Sequence, residues 1–350
     1  MARILLSICI PVYNNGELFR ISLTEACESI IFSMEKDVEI VVSDNASDIQ
    51  LWQIVYECRE KFPSIPIIYN RNKENIGMSR NFLKVVEWSR GDFCWIIGSD
   101  DFIMRDSVHK IVQIIHNFPE TDFINCGIIH VNLNQIDNRN IDGYISSLNN
   151  SSERDQESIC LKKFKDIINL KAGNVFLGSI MTGIFRRKIW NCVDKSEILS
   201  YDGFDTLASI YPHCYIYATG FMDRYAIEYK HPLIVVGDGK RPWTTDNGNN
   251  YWNSSLPLIY YTILTDMLLR YKRFGLTSSV FNESINYTSR FAGRLFLPIL
   301  FRFFIKKTQV ETFNSFKFSE LTRFYLKYPN FYIGIVLSII KPNGDLWRLK

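Results

Sequence analysis

Four short apolar runs, each closed by a cluster of polar residues, constrain the fold of this chain more than any other feature. They are Ile4 to Val12, Val38 to Val42, Ile65 to Tyr69 and Phe93 to Ile97. Each is rich in β-branched and aromatic residues and too short for a core helix, so each reads as a strand buried on both faces. The segments between them carry helical periodicity. Leu18, Ile21, Leu23, Ala26, Ile30 and Ile31 mark the first helix, and Ser43 to Asp48 offers N-caps for a second from about Ile49 to Lys61. A third runs from Met78 to Ser89. Such alternation predicts an α/β fold with a Rossmann-like, mostly parallel sheet flanked by helices and joined by right-handed crossovers. The polar loops then gather at the carboxyl edge of the sheet, where open α/β sheets bind ligands.

The fourth run ends most abruptly, in Gly98-Ser99-Asp100-Asp101. Adjacent carboxylates repel, and beside a buried strand that conflict calls for a counter-charge. A hard divalent cation resolves it by taking carboxylate oxygens and completing its shell with substrate phosphates. A solvated turn is the plainer alternative for an Asp-Asp pair taken alone.

The pattern changes along the chain. Asp106 to Phe118 reads as a helix and Asp122 to Asn132 as a strand, after which residues 133–157 form a polar stretch of the length that marks functional or mobile loops. Cys160 to Leu170 and Gly203 to Tyr217 look helical, Ile180 to Phe185 and Ile227 to Val236 strand-like. From Leu256 onward come the long helical patterns Leu256 to Phe274, Val280 to Lys307 and Phe318 to Tyr328. This predicts a catalytic or binding domain over 1–250, with halves 1–130 and 131–250, and a helical region over 251–350.

Composition narrows the function classes. With 47% hydrophobic and 22% charged residues the chain is globular, and its net charge of +3 gives no basis for a nucleic-acid partner. The eight cysteines lack CxxC spacing and several lie in strand patterns, as expected of reduced core thiols in a cytosolic protein. Met1-Ala2-Arg3 leads straight into a strand with no signal-peptide pattern, and the longest apolar runs fall short of the roughly 20 residues of a membrane span. No GxGxxG follows the first strand, and GxxxxGK[ST], GxSxG and HExxH are absent.

What remains is Pro11-Val12-Tyr13-Asn14 after the first strand, Ser43-Asp44-Asn45-Ala46-Ser47 after the second, Asn75-Ile76-Gly77 with Arg80 and Asn81 before the fourth, and Ser99-Asp100-Asp101 after it. Together these resemble family 2 glycosyltransferases of the glycosyltransferase-A fold over roughly residues 4 to 130. Trp95 to Asp101 with Asn70 to Phe82 is similar to O-antigen sugar transferases of the abequosyltransferase type. The resemblance implies a nucleotide diphosphate sugar donor, a glycan or lipid-linked oligosaccharide acceptor, and Mn²⁺ or Mg²⁺. It places Pro11, Tyr13 and Asp44 at the base, Arg80 near the sugar or phosphate, Asp100 at the ribose and Asp101 at the metal, with Asn14, Asn75, Gly77 and Ser99 also among the nucleotide-sugar-binding residues. Asp44 has the chemistry for its role, because a base N–H needs an acceptor.

The second half is less determined. Lys240 and Arg241, in a Gly-flanked loop, are candidates for a diphosphate clamp, with ordinary solvated cations as the alternative. An inverting transferase needs a carboxylate to take the acceptor hydroxyl's proton. Asp205 is the first candidate and Asp202 the second, both also suited to a helix N-terminus. His213 resembles part of a Pro-His pair of this subgroup and is otherwise a core histidine. The chain lacks a clear Glu-Asp pair and a QxxRW-type motif, so inversion and retention both stay open. Two further classes compete: a sugar-phosphate nucleotidyltransferase, which would carry a Gly-rich basic loop where Pro11 to Gly16 stands, and a non-catalytic glycan-binding scaffold. In Arg290 to Lys307, aromatic and aliphatic residues alternate with Arg290, Arg294, Arg302, Lys306 and Lys307. That stretch is expected to lie against the inner face of a membrane or to serve oligomerisation.

Overall fold

The computed structural model describes residues 3–136, 143–144, 147–148, 159–168, 179–200, 206–238, 256–301 and 315–340. Its first half runs β1 (Leu6–Val12), α1 (Glu17–Ser33), β2 (Val38–Asp44), α2 (Leu51–Lys61), β3 (Ile67–Arg71), α3 (Met78–Glu87) and β4 (Phe93–Ile96). β1 pairs in parallel with β2 and β4, and β2 with β3. Every residue of β1, β2 and β4 is buried, so both faces need apolar side chains, which is why these runs do not alternate. Ile8, Ile10, Ile40, Val42 and Trp95 lie in a core with α1, α2 and α4 (Ser107–Asn117), whereas Cys9, Val41, Cys94 and Ile96 belong to a core on the other face. Full burial of each such aliphatic chain contributes about 1.5–3 kcal/mol.

Past β4 the sheet changes sense. The remaining strands are β5 (Asp101–Ile103), β6 (Phe123–Asn132), β7 (Leu161–Lys163), β8 (Gly183–Arg186) and β9 (Tyr225–Asp238). The order is β3-β2-β1-β4-β8-β6-β9-β5, with β7 also on β9. β6 and β9 are parallel, but β8 lies antiparallel to both β4 and β6, and β5 and β7 antiparallel to β9. The helix expected over Cys160 to Leu170 is corrected here: Leu161–Lys163 instead forms β7 on the edge of β9, and Phe164–Ile167 makes a single turn, α5, that buries Phe164 and Ile167. Gly203 to Tyr217 also differs, its described part dividing into α8 (Leu207–Ile210) and α9 (Pro212–Gly220). Pro212 cannot donate a backbone hydrogen bond and so opens a new helix at its first turn. Two short helices precede these, α6 (Arg187–Cys192) and α7 (Ser196–Leu199).

The C-terminal helices are α10 (Leu256–Arg273), α11 (Ser278–Ile299), α12 (Ser315–Tyr325) and α13 (Pro329–Ile340). Met267, Tyr271, Phe291, Leu295 and Phe331 share one apolar cluster with Phe123 and Phe185 of the sheet. Much of the apolar side of the Arg290–Lys307 stretch is thereby used inside the protein, since Phe291, Leu295 and Ile299 are buried and Arg294 is nearly so. Residues 302–307 lie outside the described residues, and α11 contains Pro298 in its last turn.

Candidate active site

β1 runs three residues beyond the end of β4, because its pairing with β4 stops at Cys9↔Ile96 while its pairing with β2 continues to Val12↔Asp44. Pro11, which lacks a ladder donor, falls in that one-sided stretch. β1 is also where the strand order reverses: the chain moves out through β2 and β3, then returns to place β4 on the other side of β1. A crevice at the carboxyl ends of the strands forms at such a switch point. The loops after β1, β2 and β4 all open onto it.

Asp44 ends β2 and is fully buried. One carboxylate oxygen, Oδ1, accepts from the Ser47 backbone N–H at 2.9 Å, and Oδ2 accepts from the Tyr69 hydroxyl at 2.6 Å. Arg71, its register partner on β3, brings Nε to 3.3 Å of Oδ2. Burial, followed by the contact with Asp44, holds the Tyr69 phenol well above its ordinary range. Tyr69 is therefore a stable donor that fixes one oxygen of Asp44, and Arg71 balances its charge. Around it, Asn14 takes a left-handed φ of 49°. Its backbone N–H donates to Ser47 Oγ at 2.9 Å, and its side chain accepts from the Asp48 backbone N–H at 2.7 Å. Tyr13 is 44% exposed beside this turn, a free aromatic face at the crevice mouth.

A buried amide network fixes the third wall. Asn45 Oδ1 accepts from Asn72 Nδ2 and from the Ile76 backbone N–H, both at 3.0 Å, and its Nδ2 donates to Asn75 Oδ1 at 2.7 Å. Asn75 in turn accepts from the Gly77 N–H at 2.9 Å. Gly77 stands at φ 82° immediately before α3, a conformation that favours glycine. Asn81, on the first turns of α3, accepts from Ser43 Oγ at 2.5 Å and donates to the Ser43 carbonyl at 3.1 Å. The N-terminus of α3 is thus held against the end of β2.

The acidic pair closes the floor. The Gly98 N–H donates to Asp101 Oδ2 at 3.0 Å, so that carboxylate folds back over the turn. A Cβ on residue 98 would lie 2.6 Å from Asp101 Oδ2 and 2.8 Å from Asp100 Oδ1. The two carboxylates therefore converge over Gly98, which must lack a side chain. Asp101 begins β5 opposite Val236 of β9 and is 2% exposed, while Asp100 is half-buried. Asn15 Nδ2 reaches across from the β1 loop to Ser99 Oγ at 3.0 Å. Among the described residues no three His, Cys, Asp or Glu side chains form a ready-made cage. Two converging carboxylates nevertheless fit Mg²⁺ or Mn²⁺, which are held by one or two carboxylates plus phosphate.

Residues of the second half approach through α3. Ser79 Oγ donates to the Ser209 carbonyl, in α8 just after the capping residue Thr206. Arg80 donates to the Leu199 carbonyl at 2.8 Å. His213 is buried in α9, edge-on to the rings of Tyr211 and Tyr217 at 5.9 and 5.7 Å. Asp202, Asp205, Lys240 and Arg241 lie outside the described residues.

Residues 7–193, more than half of the chain, match the model of glycosyl transferase family 2. The chain belongs to glycosyl transferase family 2. A relative within this family's chemistry is the abequosyltransferase RfbV of Salmonella typhimurium, 30% identical over 224 residues; the match takes in 62% of this chain and 61% of that protein. This family 2 chain thus spans about three fifths of that relative's length. The dolichyl-phosphate beta-glucosyltransferase of Dictyostelium discoideum is 26% identical over 129 residues, 35% of this chain and 39% of the relative. In structure the chain is similar to S. aureus TarS in complex with UDP-GlcNAc, with a TM-score of 0.56 at 12% identity over 93% of this chain and 81% of that one. TarS in complex with UDP gives 0.53 at 14% identity over 88% and 76%. At such identity the likeness speaks for the fold, the glycosyltransferase-A fold expected from the sequence.

Four side chains that hold this crevice were not singled out by sequence reasoning: Asn15, Asn72, Tyr69 and Arg71. An asparagine just beyond a strand end is a weak sign, since it equally suits any turn. Register was the stronger sign for Arg71, because a parallel β2–β3 pair aligned on its apolar residues puts Arg71 opposite Asp44.

Proposed function

We propose that this chain moves a sugar from a nucleotide diphosphate sugar to a glycan or polyprenyl-linked oligosaccharide, in O-antigen or other surface polysaccharide synthesis at the inner face of the cell membrane. The observation that carries this is that Asp44 ends β2 and the converging Asp100 and Asp101 follow β4, the two strands that flank β1 at the switch point. In this reading Asp44, held by Tyr69 and Arg71, accepts from the base, and Tyr13 covers it. Pro11 and Asn14 shape the turn, Ser99 and Asp100 meet the ribose, and the α3 N-terminus with Asn75, Gly77 and Arg80 faces the sugar and phosphates. Asp101, with Asp100 beside it, is the place for Mn²⁺ or Mg²⁺. Such an ion offsets the charge that develops on the departing diphosphate.

Asp205 is proposed as the base that takes the acceptor hydroxyl's proton, with Asp202 and His213 as its alternatives; Lys240 and Arg241 are proposed to clamp the diphosphate. Residues 1–250 form the catalytic domain in this reading, and 251–350 serve membrane or homo-oligomer contact. The experiment is a panel of nucleotide sugars assayed with lipid-linked oligosaccharide, with NMR assignment of the product anomer. Asp205→Asn should lower kcat at least about 100-fold with donor affinity unchanged, as for a group acting in the transition state. Parental turnover by that variant, or a retained anomer, places the base elsewhere. No transfer from any donor to any acceptor would remove the reading.

A further inference from the structure

The C-terminal helix α13 presents an apolar face that the protein itself leaves uncovered. Its sequence, Pro329 to Ile340, contains no charged residue. Tyr332, Ile333, Val336, Ile339 and Ile340 are 47–67% exposed. At 100° per residue these five fall within an arc of about 120°. Phe331 and Gly334, which are buried, lie on the opposite side. That buried side is seated hard on α11. A Cβ on Gly334 would come within 2.1 Å of the Arg290 carbonyl oxygen, and one on Gly293 within 2.0 Å of the Phe331 carbonyl oxygen. The helices meet backbone to backbone, so α13 is held with its apolar arc facing outward.

An outward arc of large aliphatic side chains on a fixed helix marks a contact surface. Its surroundings indicate the occupant. Asn330 Nδ2 donates to the Asn286 carbonyl at 3.2 Å, a further tie between α13 and α11. In sequence, α13 is followed directly by Lys341. Arg323 and Lys327 are exposed in the segment that leads into α13. From Arg323 to Lys350 the chain holds five cations against the single carboxylate Asp345. Exposed apolar side chains with lysine, arginine and tyrosine close to them in sequence match the layering of an anionic bilayer surface, acyl chains beneath phosphate headgroups. A protein partner would not require that excess of one charge.

We infer that the exposed face of α13 docks the protein on an anionic membrane, through Val336, Ile339 and Ile340, with Arg323 and Lys327 against headgroups. This deepens the reading of a lipid-linked acceptor but is tested independently of it. No described helix is long and apolar enough to cross a membrane, so the contact is interfacial. The test is sedimentation of the full chain with vesicles of phosphatidylcholine alone or mixed with phosphatidylglycerol, comparing the parent with Val336→Asp/Ile340→Asp. Both sites are exposed, so thermal melts and nucleoside diphosphate affinity should match the parent. The parent should pellet with the anionic vesicles, less so at high salt, and partitioning of the double variant should fall about tenfold or more. A parent that stays in the supernatant at low salt overturns the inference, as does a double variant that pellets equally well. A concentration-dependent dimer that the double variant abolishes, with no vesicle binding by the parent, would assign the face to a second copy. Unchanged nucleotide affinity in that case leaves the donor site standing.

Discussion

Asn15 spans the crevice to Ser99, its Nδ2 lying 3.0 Å from the hydroxyl and 3.2 Å from the carbonyl oxygen. This one amide ties the loop after β1 to the turn that carries the acidic pair, so the two loops hold a fixed spacing. Asn15 is 7% exposed, and its replacement by alanine leaves the Ser99 carbonyl without this donor. Asn15→Ala should destabilise the fold by about 1–3 kcal/mol. It should raise the donor KM more than it lowers kcat, because it loosens spacing without touching the reacting atoms. Denaturant melts and steady-state kinetics check the two parts, and a pure kcat effect would contradict this role.

Gly98 is the point over which both aspartates fold. Gly98→Ala must push Asp100 and Asp101 apart or rotate them away, since the added carbon would meet both carboxylates below 3.0 Å. Turnover should fall about 100-fold, the scale of an ångström misplacement at a reacting centre. Circular dichroism should stay native, because the strand before it keeps its pairing. Activity within a few-fold of the parent would mean that the carboxylates do not act from this position.

Burial holds the phenols of Tyr217, Tyr271 and Tyr325 far above the ordinary tyrosine value. The fold therefore favours their neutral form. Its stabilising contribution is complete below about pH 10 and is lost as pH rises above that, because the unfolded chain ionises where the folded one resists. The urea midpoint should be flat from about pH 7 to 9 and drop by about pH 11. A fraction of the phenolate absorbance should appear only as the protein unfolds. Full phenolate titration near pH 10 in the folded protein would contradict the burial of these rings.

The parallel half of the sheet was legible because its strands are buried on both faces and so spell themselves as unbroken apolar runs. The antiparallel half was harder. β7 consists of Leu161-Lys162-Lys163, whose lysines carry no strand signal, and it exists because β9 offers an edge for it. Asp44, Asp100 and Asp101 were legible as carboxylates at strand ends. Asn15, Asn72 and Tyr69 were not, because their roles come from partners 25 to 84 residues away. The apolar face of Arg290 to Lys307 read as a surface feature, yet Phe291, Leu295 and Ile299 are spent in the core. A helical stripe has the same period whether it meets lipid or protein, and only packing decides which.

The central claim, that the Asp44, Asp100 and Asp101 crevice holds a nucleoside diphosphate with a divalent cation, is tested most directly by calorimetric titration. UDP, CDP, GDP and dTDP would each be titrated with Mn²⁺ and with EDTA, into the parent and into Asp101→Asn. At least one nucleotide should bind the parent with Mn²⁺, lose about tenfold or more in affinity with EDTA, and show no such metal dependence in the variant, whose neutral amide cannot replace the carboxylate. Failure of all four to bind the folded parent, or binding by Asp101→Asn that keeps the full Mn²⁺ dependence, would contradict the account.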